Sequence, residues 1–134
     1  MPAVLVDSNI ILDLLVEDET WRDWSAGALA RAAEGARLVI NPIIYAELSV
    51  AYETIELVES ALPAIFDREP IPYEAAFLAG KSYLQYRRRG GTKRAPLPDF
   101  FIGAHAAVSG YSILTRDTAR YRSYFPTVAL IAPG

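Results

Sequence analysis

Four acidic residues stand at positions where a carboxylate could do chemistry. Asp7 and Asp117 follow apolar runs. Asp99 opens a small-residue stretch of helical pattern, and Glu47 lies among apolar residues. If the fold brings these four carboxylates together, they repel one another severely unless cations lie among them. Oxygen ligands of this kind suit Mg²⁺ or Mn²⁺. The pattern therefore indicates a metal-dependent enzyme.

Three of these acids also have an ordinary structural interpretation. Asp7, Asp99 and Asp117 each precede a predicted helix, where a carboxylate can cap free backbone N–H groups. Glu47 is different, because it lies on the apolar face of its predicted helix. The residues that share this face with it are Ile43, Ile44, Val50 and Ala51. A Glu on such a face is almost never buried without a partner, so its position favours a functional role.

The composition excludes several kinds of site. The chain has no Cys, so disulfides and thiolate metal ligands are excluded. Its single His, His105, cannot make a His-rich zinc site, and we expect it to be a hydrogen-bonded structural residue. The net charge of −3 gives no general basic field, so a nucleic acid would have to bind a local patch.

Length and hydropathy bound the organisation of the chain. Its 134 residues fit one domain over positions 1–134. The apolar run before Asp7 is too short for a signal peptide and lacks a basic lead. No apolar stretch approaches the ~18 residues of a membrane span. We therefore expect a cytoplasmic protein without a membrane partner.

Predicted strands and helices alternate along the chain. Strands are expected at 3–6, 37–40, 112–115 and 128–131. Helices are expected at 10–15, 21–33, 42–51, 54–66 (with Pro63 kinking or ending it), 74–88, 99–108 and 117–124. Residues 68–73 could be a loop or a short edge strand, 90–98 form a loop, and Gly110 caps a helix end.

This alternation predicts βαβ units with right-handed crossovers. The predicted strands are continuous apolar runs, so helices should cover both faces of the sheet. The fold class is therefore α/β, a three-layer α/β/α sandwich with a central, mostly parallel sheet. Ligands of such sheets collect at the carboxyl ends of the strands, where Asp7 and Asp117 lie.

Basic residues precede Asp99 and surround Asp117. The first group, called the basic cluster below, consists of Arg87, Arg88, Arg89, Lys93 and Arg94. Arg116, Arg120 and Arg122 flank Asp117, with Tyr121 and Tyr124 available to stack bases. A charged helix end is the ordinary interpretation of the cluster. Because the cluster leads into Asp99, a polyanion held there would lie beside the acids.

Three further residues have open interpretations. Trp21 and Trp24 lie on or beside the second predicted helix, and they could be core residues or form a groove for a partner helix. Asp13 interrupts an apolar helix, and we expect its side chain to point to solvent.

Four segments, in this order, resemble the PIN-domain nucleases. They are Val4-Leu5-Val6-Asp7-Ser8-Asn9-Ile10, Ile44-Tyr45-Ala46-Glu47-Leu48, Pro98-Asp99-Phe100-Phe101-Ile102-Gly103-Ala104 and Leu114-Thr115-Arg116-Asp117. The resemblance extends over essentially the whole chain. Its final part, from position 120 to 133, is similar to the C-terminus of VapC-type toxins of bacterial toxin–antitoxin pairs.

The resemblance implies a PIN-like Mg²⁺-dependent endoribonuclease, with Mn²⁺ as a possible substitute. It also implies a small cytoplasmic toxin, often a homodimer, whose cognate antitoxin occupies the groove of the active site. On this pattern Asp7 and Asp99 are the principal metal ligands, and Glu47 and Asp117 complete the acidic pocket. The supporting polar positions are Asn9 and Thr115. The residues that could bind RNA are Arg87, Arg88, Lys93, Arg94 and Arg116.

Other functions remain open at this point. A receiver-like phospho-signalling domain needs an acid at the end of a central strand and a Lys after a late one. We place Asn41 and Pro42 at the end of the central strand, while Lys81 and Lys93 fall on a helix and in a loop. A haloacid-dehalogenase-type phosphatase needs Asp at position 9, which is Asn. The third alternative is a non-catalytic interaction domain whose four acids only cap helices.

Overall fold

A computed structural model describes residues 2–94 and 97–134. Five strands and seven helices are found in these ranges. In chain order they are β1 (Ala3–Val6), α1 (Ser8–Leu15), α2 (Arg22–Gly35), β2 (Arg37–Ile40), α3 (Pro42–Ser49), α4 (Ile55–Ala61), β3 (Phe66–Arg68), α5 (Tyr73–Arg88), α6 (Pro98–Ser109), β4 (Ser112–Leu114), α7 (Ala119–Tyr124) and β5 (Leu130–Ile131).

The strands form one sheet in the order β3-β2-β1-β4-β5, and all four pairings are parallel. Leu5 of β1 lies opposite Val39 of β2 on one side and Ile113 of β4 on the other. All four residues of β1 are buried, as a strand covered on both faces requires. The expectation that the strand ending at Asn41 is central was wrong, because β1 occupies that place.

Helices form a layer on each side of the sheet. α1 packs against α2 and α3, and α6 packs against α5 and α7. The predicted α/β/α sandwich is confirmed, and the sheet is parallel throughout.

The chain between α4 and β3 differs from the prediction. The helix expected over 54–66, with Pro63 kinking or ending it, ends at Ala61, and Phe66–Arg68 forms an edge strand paired with β2. The residue before a proline is disfavoured in the helical region, and Leu62, which precedes Pro63, has the extended angles φ −71° and ψ 121°. Pro63 itself cannot continue the hydrogen bonds of the helix.

Smaller differences concern the helices beside the acids. α6 begins at Pro98, where the absent N–H of proline costs nothing. It ends at Ser109 and is followed by Gly110 with φ 71°, the predicted cap, which is left-handed. α7 begins at Ala119, two residues later than expected. Of the predicted loop over 90–98, positions 95 and 96 lie outside the described residues.

One close helix contact fixes α6 against the end of α7. A Cβ placed on Gly103 would lie 2.3 Å from the ring of Phe125, which is buried. This backbone position therefore tolerates no side chain without movement of the ring.

In the ranges covered by the structure, no helix is long and apolar enough to cross a membrane.

Candidate active site

Asp7 lies at the carboxyl end of the central strand and begins α1. Its backbone N–H donates to the carbonyl of Leu114, which continues the pairing of β1 with β4. The carboxylate oxygen Oδ1 accepts the N–H of Ser8 at 2.8 Å, so Asp7 caps its helix as predicted. Oδ2 accepts the hydroxyls of Thr115 and Tyr121, both at 2.9 Å. The side chain is buried, and this burial raises the pKa of Asp7 despite the three donors.

Asp99 approaches the same place from the first turn of α6. Its Oδ1 lies 3.4 Å from the hydroxyl of Tyr121, and its Oδ2 lies 3.7 Å from Nε of Arg120. The pKa of Asp99 is raised to about 6, first by burial and then by the negative charges of Asp7 and Asp117. The positive charge of Arg120 therefore does not offset the effects of burial and of the two neighbouring negative charges on the Asp99 carboxyl.

Glu47 reaches the pocket from α3. The hydroxyl of Ser8 donates to its Oε1 at 3.1 Å. Burial raises the pKa of Glu47, and the charges of Asp7 and Asp99 add to this rise. The apolar face assigned to Glu47 is shorter than predicted, because α3 ends at Ser49 and the next residue, Val50, is 88% exposed.

Asp117 lies on the open side of the site, in the loop between β4 and α7. Its side chain is exposed, and its negative charge contributes to the raised pKa values of Asp7 and Asp99. The predicted capping roles of Asp99 and Asp117 were wrong. The residues at the cap positions of α6 and α7 are Leu97 and Thr118, and neither makes a side-chain capping hydrogen bond.

The hydroxyl of Thr115 connects Asp7 with the loop between β4 and α7, which carries Asp117. Its hydroxyl donates to Asp7 and accepts the backbone N–H of Asp117 at 3.0 Å and the side-chain amide of Asn9 at 3.3 Å. Asn9 also accepts the backbone N–H of Arg116 at 3.2 Å through Oδ1. The structure thus places Asn9 and Thr115 where they hold the β4–α7 loop against the start of α1.

The guanidinium of Arg116 is hydrogen-bonded to the buried carboxylate of Asp13. Its Nε and Nη2 lie 2.7 and 2.9 Å from the two oxygens of Asp13, and its guanidinium lies 5.0 Å from the ring centre of Trp21. The hydroxyl of Ser25 donates to Asp13 at 2.6 Å. Asp13 is 3% exposed, so the expectation that it points to solvent was wrong. Arg116 remains a predicted RNA-binding residue, but the structure gives it a partner within the protein.

The two tryptophans lie partly buried on this side of the molecule. Trp21 and Trp24 meet edge to face at 6.2 Å between ring centres, and Trp24 packs against the core. These contacts within the protein cover part of the apolar surface of the two rings. The predicted groove stays a prediction.

Packed aromatic rings connect the end of α5, which carries part of the basic cluster, with α6 and α7. Arg120, which approaches Asp99, lies over Tyr86 at 5.3 Å from the ring centre. Arg89 lies over Tyr124 at 4.7 Å. All five members of the cluster, at this end of α5 and in the following loop, are exposed. Tyr86 of α5 thus contacts Arg120, the residue that approaches Asp99, and the binding of a polyanion by the cluster stays a prediction.

The PIN domain family model matches residues 4–125. This chain belongs to the PIN domain family. No curated protein matches the sequence significantly.

The fold of this PIN domain is similar to those of chains in solved complexes. VapBC2 from Rickettsia felis, bound to a fragment of its promoter DNA, has a TM-score of 0.76 at 16% identity, covering 98% of this chain and 99% of the other. VapBC-1 from nontypeable Haemophilus influenzae has a TM-score of 0.72 at 18% identity, with 97% of each chain covered. A toxin–antitoxin complex from Klebsiella pneumoniae has a TM-score of 0.62 at 23% identity, covering 94% and 95%.

The oxygen-rich pocket of this PIN domain fits a hard divalent cation. Burial raises the pKa values of three of its carboxyl groups, those of Asp7, Glu47 and Asp99, and negative charges of acids in the pocket add to each rise. A cation would relieve this repulsion. Within residues 2–94 and 97–134 no three Asp, Glu, His or Cys side chains are grouped closely enough to enclose an ion.

His105 and a nearby cavity lie apart from this pocket. His105 is buried, its Nδ1 lies 3.1 Å from the side-chain amide of Asn41, and burial lowers its pKa. A cavity of about 590 Å³ at the ends of β2 and β3 is lined by Asn41, Tyr45 and Arg68 among others, and by none of the four acids. The four acids therefore lie outside this cavity.

Proposed function

We propose that this PIN domain is a Mg²⁺-dependent endoribonuclease and the toxin of a toxin–antitoxin pair. The observation that carries the proposal is the meeting of Asp7 and Asp99 at one buried hydroxyl, with Glu47 beside them, in a PIN fold. Mn²⁺ is expected to substitute for Mg²⁺, since both take oxygen ligands.

Asp7 and Asp99 are the residues that would hold the ion. When bound, a divalent ion supplies an activated water and neutralises charge on the phosphate. Glu47, oriented by Ser8, and Asp117, on the open side, complete the negative surface around the reacting phosphodiester. Thr115 keeps Asp7 in one orientation, because its hydroxyl donates to the carboxylate from the neighbouring strand end.

Binding of RNA falls to the basic surface next to the pocket. Arg87, Arg88, Lys93 and Arg94 are exposed, and their charges suit a phosphate backbone rather than a base sequence. Arg120 approaches Asp99 and could neutralise a phosphate that enters the pocket. The local character of this surface agrees with the net charge of −3.

The partner is expected to be a cognate antitoxin. The solved chains that share this fold come from VapBC and other toxin–antitoxin complexes, which supports the same kind of partnership here. An acidic pocket with raised pKa values favours a partner that brings a positive charge to it. A homodimer and a cytoplasmic location are proposed on the same resemblance.

The test of this function is RNA cleavage by the purified protein, with Mg²⁺ and with EDTA. Wild type is compared with Asp7→Asn and Asp99→Asn on single-stranded and structured RNA. Loss of an electrostatic group that stabilises the transition state typically costs a hundredfold or more in rate, and we expect at least about that for Asp99→Asn. Asp23→Asn serves as the matched control, because its side chain is 93% exposed.

Two outcomes would contradict the proposal. Mg²⁺-dependent cleavage that survives both Asp7→Asn and Asp99→Asn would remove these residues from the site. Wild-type protein that cleaves no RNA in Mg²⁺ or Mn²⁺, while folded, would leave the interaction domain as the better interpretation.

A further inference from the structure

Tyr121 contributes a buried hydroxyl to the acidic pocket. The side chain is fully buried, so it cannot stack on a base as its place among arginines suggested. Its hydroxyl lies 2.9 Å from Oδ2 of Asp7 and 3.4 Å from Oδ1 of Asp99. One hydroxyl therefore stands between the two carboxylates proposed to hold the ion.

The two distances define what this hydroxyl does. A phenol has a single proton to donate, and the shorter contact assigns it to Asp7, with Asp99 at the edge of hydrogen-bonding range. Asp7 then accepts from Tyr121 and Thr115 at one oxygen and from Ser8 at the other. Three donors on one carboxylate fix its plane and leave little freedom to rotate.

The packing of α7 holds this hydroxyl in place. Tyr124, one turn after Tyr121, packs edge to face on Phe100 at 5.2 Å between ring centres. Phe125 lies against the bare backbone of Gly103. Both contacts are with α6, the helix that carries Asp99, so Tyr121 and Asp99 belong to one packed unit.

We propose that Tyr121 is a positioning residue, whose hydroxyl sets the spacing and orientation of Asp7 and Asp99 at which a divalent cation binds. The proposal rests on the function proposed above and extends it to a residue outside the four acids. Tyr121 acts through the carboxylates, because its burial keeps it from contact with RNA. Groups that orient metal ligands in this way typically contribute a factor of about 10–100 to metal affinity or activity.

The test measures Mn²⁺ binding directly, by the electron paramagnetic resonance signal of free Mn²⁺. Wild type is compared with Tyr121→Phe, and Tyr124→Phe is the matched control for metal affinity on the same helix. We expect the dissociation constant of Mn²⁺ to rise about tenfold for Tyr121→Phe. For Tyr124→Phe we expect no measurable change. Tyr121→4-aminophenylalanine keeps a donor at this position and is expected to restore most of the lost affinity.

Activity against Mg²⁺ concentration separates positioning from direct catalysis. For Tyr121→Phe the midpoint of activation should move to about tenfold higher Mg²⁺, with the rate at saturation within about threefold of wild type. A large loss of rate that saturating Mg²⁺ does not restore would overturn the proposal, since it would place the hydroxyl at the reacting atoms.

Equal Mn²⁺ affinity in wild type and Tyr121→Phe would also overturn it. A Tyr121→Phe protein that does not fold would do the same, because the hydroxyl would then be a structural contact. Wild-type protein that binds no Mn²⁺ would instead refute the proposed function itself. The two failures are therefore distinguishable.

Discussion

Replacing Asp99 with Asn is expected to make the metal-free protein more stable at pH 7.5, although it removes a proposed metal ligand. In the absence of metal the pKa of Asp99 is raised to about 6 by burial and by Asp7 and Asp117. The Arg120 guanidinium and the Tyr121 hydroxyl face the same carboxyl and only partly offset this rise. Ionised Asp99 therefore opposes folding, and a neutral amide of similar shape does not.

The sign and size follow from the two pKa values. The folded state binds the proton of Asp99 more tightly than the unfolded state, whose pKa is near 3.8. Stability from this group is complete below about pH 3.8 and is lost as pH rises through about 6. The full difference corresponds to about 3 kcal/mol at ~1.4 kcal/mol per pKa unit. The side chain is 29% exposed. Because solvent screening reduces such a figure, we expect a gain of about 1–1.5 kcal/mol for Asp99→Asn.

Urea unfolding in EDTA measures this difference. At constant ionic strength, the free energies of unfolding of wild type and Asp99→Asn should differ most at pH 7.5 and converge near pH 4. Asp23→Asn, on an exposed carboxylate, should change the free energy of unfolding by less than about 0.5 kcal/mol. Added Mg²⁺ should stabilise wild type more than Asp99→Asn. If Asp99→Asn were less stable than wild type in EDTA at pH 7.5, the claim that this carboxylate is held against electrostatic repulsion would be refuted.

Two further predictions concern the packing that supports the pocket. Gly103→Ala should lower the free energy of unfolding by about 1–3 kcal/mol, because the new methyl overlaps the Phe125 ring. Gly80→Ala, with open space around it in α5, should raise it by about 0.5–1 kcal/mol, and equal effects at the two glycines would exclude the close contact. Asp13→Ala should cost about 2–3 kcal/mol by leaving the guanidinium of Arg116 without its hydrogen-bonded partner. In a double-mutant cycle this cost should largely disappear once Arg116 is also replaced, and simple additivity would show that the pair is not coupled.

The sequence predicted the positions of the acids better than the contacts among them. Parallel strands bring their carboxyl ends to one edge, so Asp7 and Asp117 could be placed together from the alternation of strands and helices alone. The hydrogen bond between Ser8 and Glu47 joins residues 39 positions apart. Neither hydrophobic periodicity nor capping rules contain information on such side-chain pairs, and the same holds for the hydroxyl of Tyr121.

For Asp13, the sequence could have predicted that the side chain has a partner within the protein. The rule that singled out Glu47, that a buried acid needs a partner, applies equally to an Asp within the apolar α1. The rule does not name the partner, which lies 103 residues away at Arg116. Pro63 was expected to kink or end the helix over 54–66, and the helix ends at Ala61, since a proline disfavours the helical conformation at the preceding Leu62.

The position of β1 between β2 and β4 governs when the pocket can exist during synthesis. Asp7 is synthesised before Thr115 and Tyr121, which orient it and follow 108 and 114 residues later. Until β4 is made, one edge of the central strand has no neighbour, and contacts of such large separation close slowly. During this delay the growing chain carries Asp7 apart from the two hydroxyls that orient it. Under the proposed ribonuclease function, we expect the nascent polypeptide to stay inactive toward RNA until α7 has been synthesised and docked.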